Sequence, residues 1–524
     1  MSPFLAAFGH LVSGVLHGFD RLVFRGHLRQ LAYAHGMDCY LAANRVLLKD
    51  FETHVRERTA LLIDASLAEA RRLQRPVPFL NSSQRSKEAE ARRIAEHDHV
   101  RAGLICVFKS VEPCWTFEVH RNRQRRQLEL HGKHGKCSFL YHYYLHPVFG
   151  LMHVRLQTWF PFAMQVCLNG REWLARQLDG AGLAYTRRGN KFTALADFAA
   201  AQACLDQQLR TAWPARLDEL ARQVHPAHPQ LLGRMPVPYY WSVYQSEWAT
   251  DIVFRTPADL AALYAPWLRH AMMSYRSTDV LRFLGRAVPA HGQVRQGFAG
   301  EVQTDLGHRV EGVRIKHWLN GNSLKMYDCD CILRIEATIN QVKDFKVYRA
   351  SETDPDGAKQ WRVLRRGVAD LQRRAQISQA ANERYASALA AVRQARPVKE
   401  VAEPLCRPAV APGGGVRRVR ALNPLAAGDA ALLEAVSDPQ YAINGLRNRD
   451  LVARLYAAPA ASAAERRRRS AQVTRLLRLL RAHGLIQKVP KTHRYQISAT
   501  ARGTLTALLA ARNANADFLA SNAA

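Results

Sequence analysis

The chain has 524 residues and sets 75 Lys and Arg against 44 Asp and Glu, so it carries 75 − 44 = +31 at neutral pH. A hydrophobic content of 48% is enough for packed cores and excludes global disorder, and the length predicts two to four domains. A cationic excess of this size is a statement about partners, nucleic acid first, and not about fold.

Nine cysteines, an odd number with no C-x2-C pair, read as reduced thiols in an intracellular protein. The N-terminal stretch MSPFLAAFGHLVSGVLHGF lacks a basic start and runs straight into Asp20 and Arg21, so it is not read as a signal peptide. No run of about 18 apolar residues reads as a membrane span. The expectation is a cytoplasmic protein without a membrane partner.

Phe19 to Leu28 is strand-like. Asp38 opens an amphipathic helical pattern that runs to Leu73, where Pro76 and Pro78 stop it. Ser82 and Ser83 are placed to cap the charged helix SKEAEARRIAEHD. Leu104 to Val111 reads as a buried strand. The basic segment HRNRQRRQLELHGKHGK follows, ending at Lys136. Its Arg121, Arg123, Arg125 and Arg126 suit a loop or edge hairpin that meets phosphates. Phe139 to Leu168, dense in aromatic and β-branched residues, predicts two or three strands with a turn at His146-Pro147 or near Gly150. Asn169-Gly170 ends that set and Arg171 to Leu178 begins a helix. Leu195 to Val224 is helical with a break at Pro214. Tyr239 to Phe254 fits strand or helix and brings Gln245, Glu247 and Asp251 close together. Helices follow at Pro257 to Tyr275 and Thr278 to Arg286.

Arg309 to Tyr348 is the most ordered pattern of the chain. It predicts three antiparallel strands, the first two joined at Asn320-Gly321, the pair a type I′ hairpin turn demands. That turn fixes the register: Leu319 faces Asn322, Lys316 faces Lys325, Ile315 faces Met326 and Arg314 faces Tyr327. One face is then mostly apolar. The other carries Arg314, Lys316, Trp318, Lys325 and Tyr327, with Arg334, Glu336 and Thr338 alternating along the third strand. Such a face reads either as a plain solvated surface or as one that meets phosphates: two lysines directly opposite repel, and an anion between them removes the penalty. Arg314, Lys316, Lys325 and Arg334 are therefore candidate phosphate contacts.

Trp361 to Ala395 is helical and Arg-rich. Residues 396–428, with RPAVAPGGGVRRVR at their heart, read as a Pro/Gly-rich basic linker. Beyond it come helices at Asp429 to Val436, Arg449 to Tyr456 and Ser470 to His483, two short strands around Val489 to Thr492, and a last helix from Thr500. This order resembles the winged helix-turn-helix domains of MarR-type regulators. The resemblance implies that the third helix, with Arg475, Arg478 and Arg481, enters a major groove. Arg466, Arg467, Arg468 and Arg469 stand just before that helix, and Lys488, Lys491 and Arg494 on the wing. The body from Phe19 to Tyr348 resembles that of uncharacterised bacterial proteins with such a C-terminus.

Lys325-Met326-Tyr327-Asp328 followed by Leu333-Arg334-Ile335-Glu336 is similar to the K-x-Y-D … L-R-I-E strand pair of rolling-circle replication initiators, with Cys329 where a Lys is usual. That resemblance implies a nicking or strand-transfer enzyme with Tyr327, Asp328, Glu336 and Asp251 as candidate catalytic groups. Such an enzyme would use Mg or Mn, on ligands the sequence does not identify.

The fold class expected is α+β: an antiparallel-sheet domain with helices over 1–395, a linker over 396–428, and a winged helix-turn-helix domain over 429–524. The leading functional reading is sequence-directed nucleic-acid binding in the service of a mobile element. The alternatives are the nicking or strand-transfer enzyme, and a protein that binds structured RNA.

Overall fold

The protein is described from a computed structural model, over residues 1–81, 86–286, 302–309, 312–351, 354, 356–392, 398–410, 418–441, 445–490 and 492–514. Helix α1 (Ser2–Phe8) leads into strand β1 (Val12–His27), helix α2 (Ala34–Ala43), helix α3 (Phe51–Arg72) and helix α4 (Lys87–His97). The long pattern predicted from Asp38 to Leu73 is thus two helices broken near residues 44–48. Arg45 takes a left-handed φ of 58° there, which a continuous helix does not allow. The cap of α4 is Ser86, whose hydroxyl accepts from the Ala89 N–H. Ser82 and Ser83 lie outside the described residues.

Strands β2 (Gly103–Asn122) and β3 (Gln127–His146) form a long hairpin whose tip holds Arg123, Arg125 and Arg126, all exposed. Strands β4 (Gly150–Gln157) and β5 (Met164–Asn169) follow, then helix α5 (Gly170–Gly180) and the small hairpin β6 (Tyr185–Arg188) with β7 (Lys191–Leu195). Helices α6 (Phe198–Arg210), α7 (Trp213–Val224) and α8 (His228–Leu232) precede β8 (Tyr240–Phe254), which resolves the strand-or-helix ambiguity in favour of a strand. Helices α9 (Pro257–Met273) and α10 (Ser277–Phe283) are succeeded by β9 (Gln303–Arg309), β10 (Gly312–Leu319), β11 (Asn322–Cys329) and β12 (Ile332–Ile339). The β10–β11 pairing has the register derived from the turn, with Asn320 and Gly321 at φ 51° and 80°.

A short ribbon, β13 (Lys346–Arg349) with β14 (Gln360–Val363), leads to helix α11 (Leu371–Leu389), helix α12 (Val398–Ala402) and the two-residue strands β15 (Ala409–Val410) and β16 (Arg418–Val419). The chain closes with helices α13 (Ala427–Ser437), α14 (Asn448–Leu455) and α15 (Ala463–Ala482), strands β17 (Ile486–Lys488) and β18 (Tyr495–Ile497), and helix α16 (Ala499–Arg512).

The class is α+β with a large antiparallel sheet. Two compact units are distinguished. The first comprises Gly14–Val253 and Glu336–Gln379. Its strand order is β2-β3-β4-β5-β1-β8, followed by the second half of β12. One sheet face is sealed by a core that includes Phe19, Phe24, Leu140, Val154, Val166 and Trp248. The second unit comprises Met1–Ser13, Phe254–Ile335 and Ala380–Ala524. It holds the first half of β12 and the order β12-β11-β10-β9.

Three findings correct the sequence picture locally. Every residue of β12 is buried, so Arg334, Glu336 and Thr338 do not form an open charged face. Side chains of helix α11 lie over it: the Asn382 amide donates to the Ile335 carbonyl and the Arg374 guanidinium to the Ile339 carbonyl. Arg466 to Arg469 lie within α15 rather than before it. Ser462 accepts from the Glu465 N–H while Glu465 accepts from the Ala461 N–H, and this cap starts the helix two turns earlier than its apolar periodicity suggests. Finally, Val401, Leu405 and Leu422, inside the stretch read as linker, enter the same core as Leu433, Leu451 and Leu480.

Candidate metal centre

Three carboxylates meet in the first unit, one from each of β1, β8 and β12. On β1, Phe19 and Leu22 are both in the core, so the in–out alternation slips by one residue between them. Asp20 and Arg21 are left facing away from that core. Phe19 packs edge-on against Trp248, with ring centroids 4.8 Å apart. Because Trp248 points into the core, its neighbour Glu247 points out of it. Glu336 stands between the buried Ile335 and Ala337 and is itself only 2% exposed. Carboxylate oxygens of Asp20, Glu247 and Glu336 all lie within 4.8 Å of one another.

The surroundings hold these groups in place. The Asn190 amide donates to Asp20, and the Gln245 amide donates to Glu247 at 2.8 Å. The Arg171 Nε lies 4.0 Å from Asp20, and another of its guanidinium nitrogens 2.8 Å from Asp251. Arg171 reaches them from the first turn of α5, which Asn169 caps by accepting from the N–H groups of Arg171 and Glu172. Gly170 is required here, since a Cβ would fall 1.7 Å from the Phe19 carbonyl oxygen. Arg21 keeps access to solvent while protein atoms crowd it. That desolvation lowers its pKa, but Glu247, then Cys167, Asp20 and Glu88, outweigh it and hold the guanidinium above its ordinary value.

Three ionised carboxylates at this spacing repel by about 3–4 kcal/mol per pair at an effective dielectric of ~20. A cation between them reverses the sign. An all-oxygen donor set, without His or Cys, suits a hard divalent ion rather than zinc or copper. The cluster is thus one that can hold a metal ion.

Of the sequence candidates for catalysis, only Glu336 belongs to this cluster. Asp251 is 1% exposed and paired with the fully buried Arg171. Tyr327 and Asp328 belong to the other unit, where the Asp328 carboxylate accepts from the Val313 N–H at 2.9 Å and ties β11 to β10. The Arg334 guanidinium lies 5.9 Å from the centre of the Tyr327 ring. Lys316 faces Lys325 on one side and Asp305 of β9 on the other. Burial, and then Lys325, lowers the Lys316 pKa, while Asp305 opposes them. Arg314 also pairs with Asp305, at 3.5 Å.

The basic candidates divide by exposure. Arg121, Arg123, Arg125 and Arg126 are exposed on the β2–β3 hairpin. Arg466, Arg467, Arg468, Arg475 and Arg478 are exposed on α15, and Lys488 on β17. Arg481 and Arg494 are half-buried. Arg469 bonds to Glu465 and lies over the Tyr456 ring at 4.8 Å. Lys491 lies outside the described residues. Sequence reading missed Asp20, which has no motif around it, and placed Glu247 near Asp251, whose ion-pair partner is Arg171 rather than the cluster.

Comparison with protein-family models, with curated proteins and with solved structures finds no match for this chain.

Proposed function

We propose that the protein binds nucleic acid and acts on its phosphodiester bonds, with Mg²⁺ or Mn²⁺ held by Asp20, Glu247 and Glu336. The observation that carries this reading is the convergence of three carboxylates from three neighbouring strands, beside Arg21, in a chain of +31 net charge. A divalent ion there would polarise a phosphoryl oxygen and supply an activated water or hydroxyl. Arg21 is placed to pair with a phosphate that approaches the carboxylates. Asp20 and Glu247 are fixed by amides and so keep their orientation without the ion. The test is calorimetric titration of Mn²⁺ into the full chain and into Glu247→Gln, whose amide oxygen still accepts from Gln245. The expected result is one binding event in the parent, weakened at least tenfold in the variant. Equal binding in both removes the centre.

A second reading concerns partner choice. We infer a winged helix-turn-helix over 429–524 that selects the site on duplex DNA. The favouring observation is the bridge between Leu446, before α14, and Tyr495 of β18, which adds a third short strand to the β17–β18 hairpin. Beside it, α15 buries Val473, Leu477 and Leu480 and exposes Arg467, Arg468, Arg475 and Arg478. Pairing a site-reading module with a phosphodiester centre is what a mobile element of initiator or transposase type requires. Arg475→Ala with Arg478→Ala should weaken duplex binding with the melting temperature unchanged. Unaltered binding assigns α15 to another role.

A further inference from the structure

The ribbon β13–β14 leaves two large rings in water. Tyr348 is 59% exposed and Trp361 68%. They are direct cross-strand partners, with centroids 5.7 Å apart and ring planes at 54°. The ribbon does not need them outside. Its inner side is already anchored by Phe345, Val347 and Leu364, all buried. The exposed Lys346 shares the face of the rings, while Arg349 and Arg362 lie on the other face of the ribbon, Arg349 within electrostatic reach of Arg365 and Arg373, which pair with Asp370. Exposed apolar residues scattered singly need no explanation, but two touching aromatic rings among cations are a different surface.

The surface continues toward the acidic cluster within the same unit. After β14 the chain pairs with the start of β8, where the Val243 N–H donates to the Arg366 carbonyl and Ser242 bridges to Gly367. There Tyr240 and Tyr244 are each 42% exposed. Arg29 lies over the Tyr240 ring at 4.6 Å, and Arg25 lies 6.0 Å from the Tyr244 ring. Arg25 is four residues along β1 from Arg21, which faces Glu247.

We propose that the Tyr348–Trp361 pair is a stacking platform for unpaired bases of a nucleic-acid strand, whose phosphates follow the arginines toward Arg25 and Arg21. Aromatic rings alternating with guanidinium groups match that ligand, because every base offers a π-face and every linkage a charge. A duplex keeps its bases stacked on one another and gains only the charge. The proposal deepens the nucleic-acid reading above and rests on it.

The experiment is fluorescence anisotropy with the full chain in EDTA, so that no step depends on the metal centre. The probes are labelled oligothymidylate, oligouridylate and a duplex, each of about 20 nucleotides per strand, longer than the ~4–16 that single-strand sites cover. For Tyr348→Ala with Trp361→Ala, affinity for at least one single strand should fall roughly tenfold or more, with duplex affinity changed under about threefold. Tyr348→Phe with Trp361→Phe, which keeps both rings, should retain most of the binding. Loss of duplex and single-strand binding in parallel, or no loss of either, overturns the platform while leaving nucleic-acid binding intact. Failure of the parent chain to bind any of the three probes overturns the functional reading itself. Thymidylate against uridylate tells DNA from RNA.

Discussion

Asp251→Asn separates a structural carboxylate from a catalytic one. Arg171 and Asp251 are 0% and 1% exposed and 2.8 Å apart. Their attraction is about 6 kcal/mol at an effective dielectric of ~20, set against the cost of desolvating both. Removing one partner of such a pair typically costs about 3–5 kcal/mol, because the remaining charge stays buried. Asp20, 4.0 Å from the Arg171 Nε, compensates in part and places the expected loss near the lower end, about 3 kcal/mol. At roughly 2–4 °C per kcal/mol for a large domain, the melting temperature should fall by about 6–12 °C. Differential scanning calorimetry on parent and variant reads it directly. The double change Arg171→Met with Asp251→Leu should cost less than Asp251→Asn alone, since no charge is left unpaired. If Asp251→Asn melts with the parent but abolishes activity on nucleic acid, Asp251 belongs to the chemistry and the structural assignment is wrong.

Two further outcomes are expected. Burial pushes His142 and His153 down to about 4, and His225 to about 3, well under the ordinary value of 6.5. A histidine depressed in the fold is neutral there and protonates more readily when unfolded, so its contribution is complete above about pH 6.5 and is lost as pH falls toward 4. At pH ~5.5 the cost is on the order of 1 kcal/mol each, a few kcal/mol for the three, and melting curves between pH ~7.5 and ~5 should show it. A flat profile means these side chains are not buried as neutral rings. On the central hairpin, Lys316→Gln with Lys325→Gln should reduce the slope of log affinity against log salt by about 2 if both meet phosphates. An unchanged slope removes the hairpin from the interface, with Asp305 as the sufficient partner of Lys316.

Legibility from sequence followed the locality of the physics. The β10–β11 register was readable because Asn320-Gly321 permits one turn geometry and the side-chain period does the rest. The β2–β3 edge hairpin was readable as a basic polar stretch between apolar runs. The breadth of α15 was hidden, although Ser462 and Glu465 form a capping pair that a search for S-x-x-E would have found. The acidic cluster was not readable. Its members are about 90 to 320 residues apart in sequence and meet only because β1, β8 and β12 are neighbours in the sheet. No local pattern encodes that adjacency. Glu336 stands in a local motif, whereas its companions Asp20 and Glu247 come from strands far earlier in the chain. The burial of Arg334 was missed for the same reason. An alternating strand looks half-exposed until the element that packs on its second face is known, here helix α11.

The account turns on whether Asp20, Glu247 and Glu336 act together on phosphodiesters. The decisive measurement is processing of end-labelled single-stranded and supercoiled nucleic acid by the full chain, with Mg²⁺, Mn²⁺ or EDTA, in parent, Asp20→Asn, Glu247→Gln and Glu336→Gln. The account predicts cleavage or joining that requires the metal and drops at least about 100-fold in each variant, ~2.7 kcal/mol of lost transition-state stabilisation, while binding in EDTA persists. Metal-independent processing, or full activity in all three variants, would contradict it.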